Sequence, residues 1–65
     1  MAGIDRIIKI LMNRDDLSKE EATEVAKETK EMVESAIRSG DYTAAEDIFQ
    51  EELGLEIDYM VNLLL

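Results

Sequence analysis

The sequence contains no cysteine, histidine, proline or tryptophan, and only three of its 65 residues are aromatic. Without cysteine and histidine, a disulfide framework and the usual zinc-ligand spacings are both excluded, and these are the two common stabilisers of very small domains. A chain of this length buries only about 60% of its unfolded surface. Association with other chains is therefore the stabiliser that remains available.

Long hydrophobic runs are also missing. No stretch approaches the roughly 20 apolar residues that a membrane helix needs. The apolar start from Ile4 to Met12 is interrupted by Asp5, Arg6 and Lys9, and no small-residue cleavage site follows, so a signal peptide is not indicated. We expect a soluble cytoplasmic protein with no membrane contact.

Basic residues are scarce, with 7 against 16 acidic residues and a formal net charge of −9. Hydrophobic content of 46% nevertheless indicates a folded domain rather than a disordered acidic tail. The charge is uneven: residues 1–14 carry a net +2, whereas residues 39–65 carry seven acids and no base. We expect the first helix to be drawn toward the acidic C-terminal half, within the chain or across a dimer.

What the sequence does contain is typical of helices. Good helix formers dominate, and apolar residues recur every three or four positions, so one side of each helix is apolar. We predict an all-α fold, a single helical domain over residues 1–65 in which three main helices and a short C-terminal helix form a small bundle. The predicted helices cover residues 3–13, residues 19–39, a third segment that begins near residue 41 and ends at residue 53, and residues 57–64.

Two helix starts have sequence signatures. Ser18 followed by Glu21 forms a capping box, in which each side chain accepts from the other residue's backbone N–H. For the third helix the start is ambiguous, because Asp41 can cap it directly and Thr43 with Glu46 offers a second capping box.

Helix ends are signalled by glycine. Gly40 suits the left-handed position after the second helix, and Gly54 is predicted to form a Schellman ending with Leu55 folding back near Phe49. The polar run 13–16 is interpreted as a turn. Gly3 is expected to lie at a fraying helix end, where a larger residue would cost little.

Catalytic chemistry is not indicated. Nucleophilic catalysis needs a Ser, Cys or Thr beside a base, and no histidine or cysteine is present to serve. Glu46, Asp47 and Glu51 could in principle hold a divalent cation, yet the alternating acidic spacing of an EF-hand loop is absent. We predict that the protein is not an enzyme and has no catalytic residues, cofactor or metal site.

The stretch from Glu52 to Leu64 resembles the turn and second helix of a helix-turn-helix motif. The apolar spacing fits, with Met60 and Leu63 in the positions of that helix that face the core. Its leading residues, however, include Glu56 and Asp58, whereas a recognition helix offers basic or amide side chains to DNA. Since phosphate attraction dominates DNA affinity, we expect no direct nucleic-acid binding and a shape used for packing.

Residues 17–65 as a whole resemble small acidic helical proteins of bacterial and phage genomes that have no assigned activity. The resemblance rests on the amphipathic acidic helix, the sequence Ser39-Gly40-Asp41-Tyr42, the sequence 52–56 and the leucine-rich finish. It implies an all-helical fold and carries no catalytic residue.

The functional prediction is a small protein-interaction or homo-oligomeric helical module. A second helix of about 21 residues is roughly 32 Å long, longer than the diameter expected for a compact domain of this size, so its apolar stripe should overhang the core. We expect a second copy to cover that stripe and the C-terminal leucines, at Ala22, Val25, Ala26, Met32, Val33, Ala36, Leu63, Leu64 and Leu65. The alternative is an acidic decoy or inhibitor that occupies a basic surface of a nucleic-acid-binding protein.

Overall fold

The computed structural model describes residues 3–64 and contains only helices and turns in that range. Helix α1 spans Ile4–Asp15, α2 spans Lys19–Arg38, α3 spans Tyr42–Leu53 and α4 spans Met60–Leu64, with a 3₁₀ turn at Ile57–Tyr59 directly before α4. The predicted all-α fold, with three main helices and a short C-terminal one, is confirmed. We refer to the 3₁₀ turn and α4 together, residues 57–64, as the C-terminal segment.

Both ends of α2 and the start of α3 are fixed by local hydrogen bonds. The N–H of Glu21 donates to Ser18 Oγ at 3.1 Å and the N–H of Ser18 donates to Glu21 Oε1 at 3.0 Å, which is the predicted capping box. At α3 the N–H of Ala44 donates to Asp41 Oδ1 at 3.0 Å. Asp41 is therefore the cap of α3, which resolves the ambiguity with Thr43.

The two glycine endings differ from each other. After α2, the N–H of Gly40 donates to Ile37 O at 2.9 Å and that of Asp41 donates to Ala36 O at 3.0 Å, which is the Schellman pattern. After α3, Gly54 donates to Gln50 O at 2.8 Å, the simpler left-handed ending. The Schellman ending predicted at Gly54 is thus found at Gly40.

Three boundaries differ from the prediction. Helix α1 continues two residues further, to Asp15, because the left-handed residue that ends it is Asp16, with φ of 56°. Helix α2 ends at Arg38. The predicted helix 57–64 is divided into the 3₁₀ turn and α4, since the N–H of Tyr59 donates to Glu56 O three residues back.

The core draws side chains from all four α-helices. Phe49 of α3 is its largest fully buried member, and Leu63 brings α4 into contact with the rest. Thr29 is the buried polar residue, and its hydroxyl donates to Val25 O at 2.9 Å, so burial leaves that oxygen partnered. The buried hydrophobic residues are Ile7, Ile8, Leu11, Ala22, Ala26, Val33, Ala45, Phe49, Leu53 and Leu63.

The molecule is elongated. Its radius of gyration is 11.1 Å and its principal extents are 33 × 23 × 18 Å. Helix α2, about 30 Å long for its 20 residues, fits along the longest dimension. The expected overhang of this helix was wrong, because it assumed a spherical domain. The other helices bury Ala22, Ala26 and Val33, although Met32 on the same helix stays 39% exposed.

Candidate interaction surfaces

The residues predicted to form an interface lie mostly inside the chain's own core. Ala22, Ala26, Val33 and Leu63 have no exposed surface. Small residues do allow helices to approach closely, as predicted, but the helices that approach are α1, α3 and α4 of the same chain. These four side chains therefore cannot meet a second copy without unfolding the core.

The other predicted interface residues differ in accessibility. Val25, Ala36 and Leu64 are half-buried at the edge of the core. Met32 on α2 is 39% exposed. Leu65 lies outside the described residues.

Two of the four large hydrophobic side chains that are exposed among residues 3–64 lie close together in the C-terminal segment. Val61 is 59% exposed and Ile57 is 38% exposed, and the two are one turn apart. Leu64, three residues after Val61, is half-buried against the core. We name Ile57, Val61 and Leu64 the C-terminal patch; the acidic, exposed residues Glu56 and Asp58 flank its first member.

The sequence contained a signal for this patch that the interface prediction did not use. Five of the eight residues 57–64 are large and aliphatic or thioether side chains, namely Ile57, Met60, Val61, Leu63 and Leu64. A short amphipathic helix buries one side only, so such a composition exceeds what one side can hold. The surplus is Val61 and part of Ile57.

Long-range contacts, rather than helix caps, hold the C-terminal segment in place. Gly3 packs so closely on the backbone of Asn62 that a Cβ atom at residue 3 would overlap the Asn62 carbonyl group. The Arg6 guanidinium lies over the Tyr59 ring, 5.3 Å from its centroid, in cation–π geometry. Gly3 is therefore a packing position, which corrects the expectation of a fraying end.

Two arginines of α1 contact the acidic C-terminal half of the same chain. Besides the contact of Arg6 with Tyr59, Arg14 Nη1 donates to Gly54 O at 3.3 Å, at the carbonyl end of α3. A positive charge at this position interacts favourably with the negative end of the helix dipole. The first helix thus contacts the C-terminal half within the chain, through an aromatic ring and a backbone carbonyl rather than through its carboxylates.

Ion pairing is sparse. Among residues 3–64, the one ion pair is Arg14 with Asp15, whose two hydrogen bonds measure 2.8 and 2.7 Å. The hydrogen bond from Arg14 lowers the pKa of Asp15 and raises that of Arg14. The acids of α3 and the C-terminal segment, residues 46–58, have no ion-pair partner within the described range.

A second surface lies between α1 and the start of α2, and its charge is opposite to that of the acidic residues beside the C-terminal patch. It is a groove of about 380 Å³ with Ile8 and Met12 as its apolar lining and Lys9, Lys19 and Asp5 as its charged lining. Ile8 is 8% exposed and Met12 is half-buried. We name these five residues the lysine groove.

Side chains that could hold a metal ion together are not assembled in the described part of the chain. Within residues 3–64, no three His, Cys, Asp or Glu side chains come together as a metal-holding group. The buried oxygen of Thr29 is bonded to its own helix. None of the helices described is long and apolar enough to cross a membrane.

The stretch that resembles a helix-turn-helix has a different form from a recognition helix. Residues 55–59 are a turn and a 3₁₀ turn, and α4 has only five residues. Glu56 and Asp58 are exposed at its start. This surface presents carboxylates where a DNA-reading helix presents donors to phosphate and base edges.

Comparison of the chain with protein-family models, with curated protein sequences and with solved structures finds no match. No relative therefore indicates a substrate or a partner. The surfaces of the chain itself carry the functional inference.

Proposed function

We propose that this protein is a small protein-interaction module that associates with further copies of itself through the C-terminal patch. The observation that carries the proposal is the exposure of Val61 and Ile57, 59% and 38%, on neighbouring turns of one segment. Apolar side chains scattered singly over a surface need no explanation, whereas adjacent ones at the edge of the core are typical of contact sites.

A stable contact between copies needs more surface than these two side chains provide. Complete burial of an aliphatic side chain contributes about 1.5–3 kcal/mol, and both residues are already partly buried, so they supply a fraction of that. A stable interface covers about 800 Å² per partner, and the chain exposes 4394 Å² in total. Just under a fifth of the surface would be covered, which requires neighbouring polar and charged groups as well.

Sedimentation equilibrium at micromolar concentration tests the proposal. We expect a mass above 7.4 kDa that rises with concentration. Val61→Asp places a carboxylate in the patch and should reduce the association by about tenfold or more. Tyr42→Asp is the matched control, because Tyr42 is 63% exposed on α3 and its replacement leaves the patch intact.

A mass that stays at 7.4 kDa at every concentration and salt level would end the self-association proposal. Equal weakening by Val61→Asp and Tyr42→Asp would indicate a general effect of added negative charge, and the patch would lose its role.

A second function is favoured by a separate observation, the unpaired acids between residues 46 and 58. We propose as the alternative that these carboxylates imitate nucleic-acid phosphates and occupy a basic surface of a nucleic-acid-binding protein in the cytoplasm. Asp47 and Glu51 are exposed on α3, one turn apart, and are the first residues to neutralise.

Competition with duplex DNA for a basic DNA-binding protein tests this alternative. The wild-type chain should displace DNA, and the displacement should weaken steeply as salt rises. Asp47→Asn with Glu51→Gln should reduce it, while Glu20→Gln with Glu24→Gln, the same charge change on α2, should reduce it less. Displacement that is insensitive to salt and to both pairs would exclude phosphate mimicry.

A further inference from the structure

The C-terminal patch and the lysine groove are separate surfaces of one molecule. No residue of the C-terminal segment lines the groove, and Val61 remains 59% exposed. With 3.6 residues per turn, Ile8 and Met12 project from a different side of α1 than Arg6 and Arg14, the residues that contact Tyr59 and Gly54. The patch therefore does not fill the groove of its own chain.

The two surfaces match in spacing. Ile8 and Met12 are four residues apart on α1, and Ile57 and Val61 are four residues apart on the C-terminal segment. Four residues of α-helix advance about 6 Å, and the path from Ile57 to Val61 is slightly longer because it begins in a 3₁₀ turn. Both surfaces therefore present a pair of apolar side chains with a similar separation.

The two surfaces also match in charge. The groove has Lys9 and Lys19 on its lining with a single carboxylate, Asp5. The patch is flanked by Glu56 and Asp58. A net positive groove thus faces a net negative segment, which favours one relative orientation and disfavours the contact of two patches with each other.

We infer that the lysine groove of one copy receives the C-terminal patch of a second copy, with Ile57 and Val61 against Met12 and the small exposed part of Ile8. This inference rests on the proposed self-association and names its geometry. The contact joins two different surfaces, so each copy can give its patch to one neighbour and its groove to another. The assembly continues head to tail, and its size grows with concentration unless the rotation closes a ring.

Two exposed substitutions separate this arrangement from a symmetric dimer. Val61→Asp breaks the patch and leaves the groove, whereas Lys19→Glu breaks the groove and leaves the patch. Lys19 is exposed at the first position of α2, where a glutamate is compatible with the helix dipole, so the variant should fold. Lys27→Glu is the matched control on the same helix, with the same charge change away from the groove.

Each variant alone should remain monomeric at concentrations where the wild-type chain associates, with association weaker by about tenfold or more. An equimolar mixture should form a one-to-one heterodimer, because one variant supplies an intact patch and the other an intact groove. Native mass spectrometry of the mixture, with one variant isotope-labelled, measures it. Circular dichroism of each variant checks that the helices are retained, and Lys27→Glu should associate as the wild type does.

The outcomes separate the geometry from the proposed function. Wild-type association that Val61→Asp abolishes but Lys19→Glu leaves unchanged, or a mixture that forms no heterodimer, overturns the head-to-tail contact and leaves self-association standing. A wild-type chain that is monomeric throughout overturns both. Weakening by Lys27→Glu equal to that by Lys19→Glu also overturns the role of the groove.

Discussion

The α2–α3 hairpin and the C-terminal segment are both helical, but different interactions hold them in place. The hairpin has a hydrogen-bonded cap at Ser18, another at Asp41 and a Schellman ending at Gly40, all made by residues within five positions. The C-terminal segment begins at Glu56 without a side-chain cap. Its position depends on residues more than fifty positions away in sequence.

This difference explains why the apolar patch lies where it does. A helix that is defined locally can devote its apolar side to the core, as α2 does from Ala22 to Val33. A segment of eight residues with one fully buried side chain, Leu63, cannot turn all of its apolar groups inward. The C-terminal segment therefore leaves Ile57 and Val61 exposed on neighbouring turns, whereas the exposed Met32 and Tyr42 of the hairpin lie on two different helices.

The largest expected effect on stability in the C-terminal segment comes from Leu63→Ala. We expect a loss of about 3 kcal/mol in the free energy of unfolding, because the side chain is fully buried and is the anchor of α4. Leu64→Ala, a half-buried neighbour of the same type, should cost about 1 kcal/mol. Urea unfolding measures both, and equal losses would mean that the segment has no single anchor.

Gly3→Ala tests the contact between Gly3 and the C-terminal segment by changing the residue at the N-terminal end of that contact. We expect a loss of about 2 kcal/mol, because the new Cβ would collide with the Asn62 backbone. Gly40→Ala should cost about 1 kcal/mol, since there the penalty is the positive φ of 82° alone and the space around the Cβ is open. Thermal unfolding of the two variants decides the order, and a harmless Gly3→Ala would mean that the segment moves freely.

Capping in the hairpin gives the next smaller effects. Ser18→Ala and Asp41→Ala should each lower stability by about 1 kcal/mol, because each leaves a first-turn N–H without its acceptor. Thr43→Ala is the control and should change stability by only a few tenths, since Asp41 is the cap. A loss at Thr43 equal to that at Asp41 would move the start of α3.

The smallest expected effect is a pH dependence. The backbone N–H of Ser18 and its side chain lower the pKa of Glu21. Because the folded pKa is lowered, this stabilisation is complete above the ordinary glutamate value of about 4.3 and is lost as pH falls through the lowered pKa.

Glu21→Gln should therefore lose stability less steeply than the wild type in acid. Urea midpoints measured between about pH 5 and pH 2 check this. Glu20→Gln removes a neighbouring charge without touching Ser18 and is the control. Parallel profiles for the wild type and Glu21→Gln would show that the capping box does not depend on the ionised carboxylate.

The features that neighbouring residues determine could be predicted from the sequence, and most of the others could not. The start of α2 was predictable because Ser18 and Glu21 form a motif within four residues. The end of α1 was missed because Asp16 takes a left-handed conformation that few residues other than glycine adopt, and the polar run 13–16 resembles a turn. The 3₁₀ turn at the start of the C-terminal segment was missed because Ile57 and Met60 are three residues apart, a spacing that suits a 3₁₀ turn as well as an α-helix.

Four of the residues predicted for the interface are buried in the chain's own core for a related reason. Small residues such as Ala22 and Ala26 indicate a close helix approach, but spacing along one helix does not identify the helix that approaches. Only the packed structure shows that the neighbour belongs to the same chain. The groove formed by Ile8 and Met12 with Lys19 could not be predicted, since it joins residues of two helices whose relative placement the sequence leaves open.

The contacts of α1 with the far end of the chain also set an order of events during translation. Helix α1 is synthesised before Gly54, Tyr59 and Asn62, its partners through Arg14, Arg6 and Gly3. The α2–α3 hairpin joins neighbouring elements and can form as soon as both have left the ribosome. Helix α1 can pack on α2 early, but the part of its surface that contacts the C-terminal segment stays uncovered until that segment has also been made.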